Sequence, residues 1–227
     1  FKQIQNIVKN SQKSNSEYFV FSIPFSVPMG VQICNNCLFH ALILSHKKTI
    51  DKSRFSFKNE GMAIVYLSLG SNKGDRIGYI QQATSILDGL DDTNLIRTSA
   101  FYESEPWGVN TENWFVNAMI EIKTSKTPQE LLETCHKIEA QLGRNREVEG
   151  HYGDRTLDID IIFYDDKILN DENLTIPHKL FHQRAFTIVP MLELAPDFVH
   201  PTLKKTIMQL HDELENPEMV YLYGTRV

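Results

Sequence analysis

The pattern of apolar and polar positions divides the chain into two unlike parts at about residue 62. From there the pattern is regular. Residues 63–69 (AIVYLSL) form an apolar run of strand length, ended by Gly70, Ser71 and Asn72. Ile77, Ile80, Ala83, Leu87 and Leu90 then fall on one helical stripe. Residues 95–102 read as a second strand and 114–122 as a third, the latter richer in apolar residues than simple alternation. Thr127, Pro128 and Glu130 mark a helix start, with Thr as N-cap, Pro at the first helical position and Glu two positions further on. The helix they open runs to about residue 142, where Gly143 stops it. Residues 157–164 make a fourth strand, and helices are expected near 184–194 and 203–214. The order β-α-β-β-α-β is the split pattern of a ferredoxin-like sheet. The expected fold is therefore α+β, with the additional C-terminal helices completing α/β/α layers.

Residues 1–61 show no sustained period of 2 or 3.6. The stretch 18–45 carries no Asp, Glu, Lys or Arg, but Pro24, Pro28, Gly30, Asn35 and Asn36 interrupt it. A membrane span needs about 20 predominantly apolar residues in a row, so no transmembrane helix is expected here. The segment is basic, Ser-rich and poor in acids, as transit peptides are, but lysine dominates over arginine. It reads as an N-terminal extension outside the patterned domain, which is expected to span 62–227. Within it, Cys34 and Cys37 form a C-x-x-C followed by His40 and His46. Zinc sites usually separate their ligand pairs further, so two unrelated thiols are the preferred reading.

Charge sharpens the division. Residues 1–61 hold eight Lys+Arg against three Asp+Glu, whereas the whole chain has 23 against 29 and a net charge of -6. The part from residue 62 onward is thus strongly acidic, which argues against a general nucleic-acid binder. Three cysteines cannot make a disulfide framework, and a reducing, cytoplasmic setting fits them best.

The stretch richest in chemistry is 144–160. Asp158 and Asp160 stand two apart on a predicted strand, so their carboxylates share one face. Leu157, Ile159, Ile161 and Ile162 make that strand apolar, and two unpaired carboxylates there would be costly. A cation relieves both the burial and the repulsion, and hard oxygen ligands suit magnesium. Arg144, Arg146 and Arg155 lie in the loop before the strand. Guanidinium groups bind phosphate oxygens bidentately, and phosphoryl transfer needs that charge neutralised and positioned. Glycines 143, 150 and 153 suit a loop that closes over a substrate. No Walker-type phosphate loop occurs; residues 70–74 (GSNKG) lack its spacing and read as a strand-to-helix turn.

Taken together, these stretches resemble the 6-hydroxymethyl-7,8-dihydropterin pyrophosphokinase family. The matching segments are 66–72 (YLSLGSN), 104–108 (SEPWG), 115–118 (FVNA), Ile138-Glu139 with Gly143-Arg144, 153–160 (GDRTLDID), and 176–178 (IPH) with 184–186 (RAF). They keep family order and spacing over about 62–220, and the G-x-R-T-L-D-x-D stretch is the most specific of them. The resemblance implies ATP as co-substrate and two magnesium ions held by Asp158 and Asp160. It implies that Asn117 bonds the pterin edge, that Phe115 and Phe186 sandwich its ring, and that Ser104 and Trp107 complete the pterin pocket. Arg144 and Arg155 join the aspartates as catalytic groups. His136, Glu139, Arg146, Tyr152, Thr175, His178 and Arg184 form or support the nucleotide site. Singly, the phenylalanines would read as core aromatics and His178 as a loop histidine; their joint order carries the assignment. The chain departs from the family pattern at Asp154, where proline is common, at His136, where glutamine is common, and at Lys179, where an aromatic is common.

The expected reaction has the hydroxymethyl oxygen attack the β-phosphorus of ATP, with AMP leaving. The expected working form is a monomer acting on small molecules, with neither nucleic acid nor membrane as partner. Two rivals are an RNA-binding module on the same sheet, disfavoured by the acidic balance, and a non-catalytic relative that keeps the pocket.

Overall fold

A computed structural model describes residues 61–145 and 153–226. Arg146, Tyr152, the Cys34/Cys37 pair and residues 1–60 of the extension lie outside the described residues.

The first strand, β1 (Ala63–Ser71), is followed by α1 (Arg76–Asp88), whose first turn is capped by Asp75 accepting from the Gly78 amide. β2 (Thr93–Thr98), β3 (Tyr102–Ser104) and β4 (Phe115–Thr124) come next. α2 (Pro128–Gln141) opens with the expected capping box between Thr127 and Glu130. β5 (Asp158–Tyr164), a small β6–β7 ribbon (Leu169–Asn170 and Thr175–Ile176), a 3-10 turn (Phe181–Gln183), α3 (Ala185–Leu194), α4 (Ile207–Asp212) and β8 (Val220–Leu222) complete the chain. The main sheet runs β5-β1-β4-β3-β8 with β2 also on β4, and every pair is antiparallel. With β2 and β3 counted as one interrupted strand, this is the ferredoxin-like order expected for β-α-β-β-α-β.

Alternation along β1 explains the layers. Val65, Leu67 and Leu69 are fully buried in one cluster with Ile80, Ala83 and Leu87 of α1 and Leu131, Cys135 and Ile138 of α2. Tyr66 faces the other way, into a ring cluster with Phe163 and Phe198, which in turn meets Phe181 and His200. On that second face α3 packs over β4 and α4 packs on α3.

Two expectations need correction. The second strand, expected to be continuous over 95–102, is broken in two. Ser99 Oγ donates to the Ala100 carbonyl and accepts the Met119 amide, replacing a ladder bond with a side-chain one. The last helix is shorter than 203–214 because Thr206, capped reciprocally with Gln209, starts it late, and Lys204 before it has φ 58°.

Candidate active site

The register of three strands assembles the floor of a cavity on the second sheet face. Gly70 of β1 lies between Asn117 of β4 and Asp158 of β5, and Ser68 lies between Met119 and Asp160. Asp158 and Asp160 therefore share a face, as their spacing required. Gly70 suits the row because a Cβ there would stand 3.0 Å from Asn117 Oδ1. Asn117 is buried, and its Nδ2 donates to Ser104 Oγ at 2.9 Å. The cavity holds about 610 Å³, within the range of small-molecule sites.

One end of this cavity is aromatic. Phe115 opens β4, Phe186 lies in the first turn of α3, and Trp107 stands in the loop between β3 and β4; all three line the space. The Arg184 guanidinium sits 4.7 Å from the Trp107 ring centre and 5.6 Å from that of Phe186, and Arg155 sits 5.5 Å from that of Phe115. Such stacking is favourable for a cation on an aromatic face.

The other end is ionic. α2 ends in a Schellman turn: the Arg144 amide donates to the Glu139 carbonyl and the Gly143 amide to that of Ala140, with Gly143 at φ 90°. This turn sends Arg144 back along the helix end. Its Nη1 meets Glu139 Oε1 at 2.7 Å and also pairs with Asp158. Glu139, only 1% exposed, accepts the Ile159 amide at 2.8 Å too. Glu139 lies behind the cavity wall rather than in it, fastening Arg144 and β5 to α2. Arg155 Nη1 donates to Asp158 Oδ2 at 2.5 Å, and Arg184 Nη1 lies 3.8 Å from Asp160.

Asp160 carries the electrostatic tension of the site. Burial, and then the neighbouring Asp158 charge, push its carboxyl up to about 7. Burial acts to lower Arg144, but the Asp158 and Glu139 charges outweigh it and raise the group. Burial lowers Arg184 despite the pull of Asp160. His178 is lowered to about 4, by burial and then by the Arg184 charge, so it is neutral near pH 7 and accepts the Leu180 amide on Nδ1 at 3.3 Å.

Two carboxylates on one face, in an oxygen donor set with a raised acid, suit a hard dication that takes its remaining ligands from water and phosphate. Among the described residues no group of three or more His, Cys, Asp or Glu is placed to hold a metal alone. Substrate oxygens would complete the coordination.

Of the residues singled out in the sequence, Ser104, Trp107, Phe115, Asn117, His136, Arg144, Arg155, Asp158, Asp160, Thr175, His178, Arg184 and Phe186 all line this one cavity. The sequence reading gave no role to Asn72, Asp154 or Glu218. Asn72 Oδ1 accepts the Arg155 amide at 2.7 Å, and Asp154 accepts three side chains. Glu218 accepts the Phe186 amide at 2.8 Å and so steadies the start of α3. No helix among the described residues is long and apolar enough to cross a membrane.

The family description 7,8-dihydro-6-hydroxymethylpterin-pyrophosphokinase (HPPK) matches residues 66–196. A 2-amino-4-hydroxy-6-hydroxymethyldihydropteridine pyrophosphokinase of Methylorubrum extorquens is 42% identical over 138 residues, covering 61% of this chain and 86% of the relative. The Haemophilus influenzae protein of the same name is 37% identical over 161 residues, covering 71% of this chain and 99% of the relative. Among solved structures, wild-type HPPK-DHPS of Plasmodium falciparum with pteroate aligns with a TM-score of 0.55 at 16% identity, over 67% of this chain and 44% of that one. That likeness speaks to the fold.

Proposed function

This chain belongs to the 7,8-dihydro-6-hydroxymethylpterin-pyrophosphokinase family, and on that premise we propose that it transfers a pyrophosphoryl group from ATP to the hydroxymethyl group of 6-hydroxymethyl-7,8-dihydropterin. The observation that carries this reading is the joining, in one cavity, of an aromatic pocket containing Asn117 and a carboxylate pair ringed by Arg144, Arg155 and Arg184.

In this reading the pterin ring lies between Phe115 and Phe186, which offer flat apolar faces. Asn117 reads its polar edge, and Ser104 holds the amide of Asn117 in place. Trp107 closes the pocket. The ATP phosphates lie toward Asp158 and Asp160, with His136, Thr175 and His178 along the nucleotide's path. The hydroxymethyl oxygen attacks the β-phosphorus, and the bond from that phosphorus to the oxygen shared with the α-phosphate breaks. AMP departs with the shared oxygen, and the hydroxyl loses its proton. Arg144 and Arg184 line the cavity, each with several guanidinium donors. Phosphate oxygens would satisfy such donors. Two magnesium ions on Asp158 and Asp160 would neutralise charge on the transferring phosphates. Much of the acceleration then comes from holding two substrates in line. The same proposal takes residues 62–227 as the catalytic domain, acting as a monomer in the cytoplasm.

Separation of the nucleotide products tests this reading. Full-length protein with ATP, magnesium and the dihydropterin should release AMP, and only when all three are present. Release of ADP, or AMP formed without the pterin, would overturn it.

A further inference from the structure

The carboxylate of Asp154 joins three separated stretches of chain. Its Oδ1 accepts from Asn72 Nδ2 at 2.7 Å and from Thr111 Oγ1 at 2.7 Å, and its Oδ2 accepts from Asn113 Nδ2 at 2.5 Å. Thr111 Oγ1 in turn accepts the Asn113 amide at 3.1 Å. Asn72 returns the connection, since its Oδ1 accepts the Arg155 amide and its own amide donates to the Arg155 carbonyl at 3.2 Å. Thr111 and Asn113 end the loop that carries Trp107, Gly108 and Val109 into the cavity wall. Asp154 itself immediately precedes Arg155, which holds Asp158.

The start of that loop is fastened elsewhere. The Glu105 amide donates to the Met219 carbonyl at 3.1 Å, and the Met219 amide donates to Glu105 Oε2 at 3.0 Å. Between these anchors the loop presents Trp107 toward the aromatic pocket. Its far end is held at Trp114 by Arg76, which donates to the Trp114 carbonyl at 2.9 Å, and just before it, at Thr111 and Asn113, by the Asp154 carboxylate.

Resting on the function proposed above, we infer that Asp154 is a positioning residue for the pterin: a latch that holds the Trp107 loop against the Arg155 segment. The chemistry favours a carboxylate. All three side-chain partners act as donors toward it, and only an ionised carboxylate is acceptor on both oxygens. Asparagine is of equal size but uncharged, with one acceptor oxygen in place of two, so Asn113 must turn its amide to match it and the charge-assisted contacts are lost. Arg155 keeps its own ties to Asn72 and Asp158 in that variant, so the ionic end of the cavity stays in place. The consequence is one-sided, falling on the pterin more than on ATP.

The test is Asp154→Asn beside Asn113→Ala, the latter at an exposed position where folding is not at risk. Loss of charge-assisted hydrogen bonds of this kind should raise the KM for the dihydropterin about tenfold in Asp154→Asn. The KM for ATP should move by less than about twofold, a split that general loosening would not produce. The double variant should lose little beyond Asp154→Asn alone, because both changes cut the same latch. Hydrogen exchange of the 105–113 amides should rise in both variants while β1 and β5 stay protected. Unchanged pterin KM and unchanged exchange, or equal rises in both KM values, would overturn the latch. If the wild-type protein releases no AMP, the proposed function fails by itself, and the exchange measurement alone decides the latch.

Discussion

Asp160 is where burial and charge conflict most. Its carboxyl is pushed to about 7 by burial and then by Asp158, so in the proposed reaction a proton would compete there with the dication near neutral pH. Metal binding must then release a proton, and apparent magnesium affinity should fall as pH drops from about 8 to 6. Magnesium titration of wild-type turnover at several pH values checks this; an apparent magnesium affinity that does not change with pH would contradict it. Gly70 is a second residue with a specific demand on it. A Cβ at Gly70 meets Asn117 Oδ1 at 3.0 Å, so Gly70→Ala should displace the amide proposed to read the pterin. The stability cost of such a crowded contact is about 1–3 kcal/mol, measured by denaturant unfolding, and pterin binding should weaken more than ATP binding. The meeting of Asp158, Asp160, Arg144 and Asn117 in one cavity was legible because their types and order follow the family pattern. Asp154 and Glu218 were not, because their partners are set by tertiary contact. Asp154 reaches Asn72 across 82 residues and Asn113 across 41, and Glu218 reaches Phe186 across 32.

Among the elements, those with local signals were read correctly. α2 announces itself through Thr127, Pro128 and Glu130, and its end through Gly143; cap and turn both form as their chemistry requires. β3 and β8 were hidden for a different reason. Each is three residues long, and neither has a period that a short window can detect. They exist because β4 and then β3 offer an edge to pair with. The 200–205 turn between α3 and α4 depends on a neutral histidine. His200 Nδ1 accepts the amides of Thr202 and Leu203, both at 3.2 Å, and burial followed by the charge of His182 lowers it from 6.5 to about 4. Its contribution to stability is whole above about pH 6.5 and is lost as pH falls toward 4, because the unfolded chain takes up the proton first. The loss amounts to roughly 2–3 kcal/mol from this group. His200→Asn, whose Oδ1 can replace Nδ1 without titrating, should flatten that part of the acid limb in urea unfolding measured at pH 7 and pH 4.5. An unaltered pH dependence would show that the turn does not rely on the neutral ring.

Across the whole molecule, the sheet divides its labour by face. One face gives its apolar positions to α1 and α2 and makes the larger core. The other faces a cavity whose aromatic end and ionic end are drawn from strands at opposite sides of β1. A ferredoxin-like sheet by itself is equally compatible with an RNA-binding module. Family membership and the two carboxylates on the sheet face decide for the enzyme. The central claim is that one cavity brings the dihydropterin to ATP phosphates held at Asp158 and Asp160. Its most direct test is product analysis of the wild-type chain and Asp160→Ala side by side, with thermal unfolding and pterin binding recorded for both. The wild type should yield AMP and pterin diphosphate in equal amounts, while the variant folds, binds pterin and yields neither. Turnover by a folded Asp160→Ala at the wild-type rate would contradict the account.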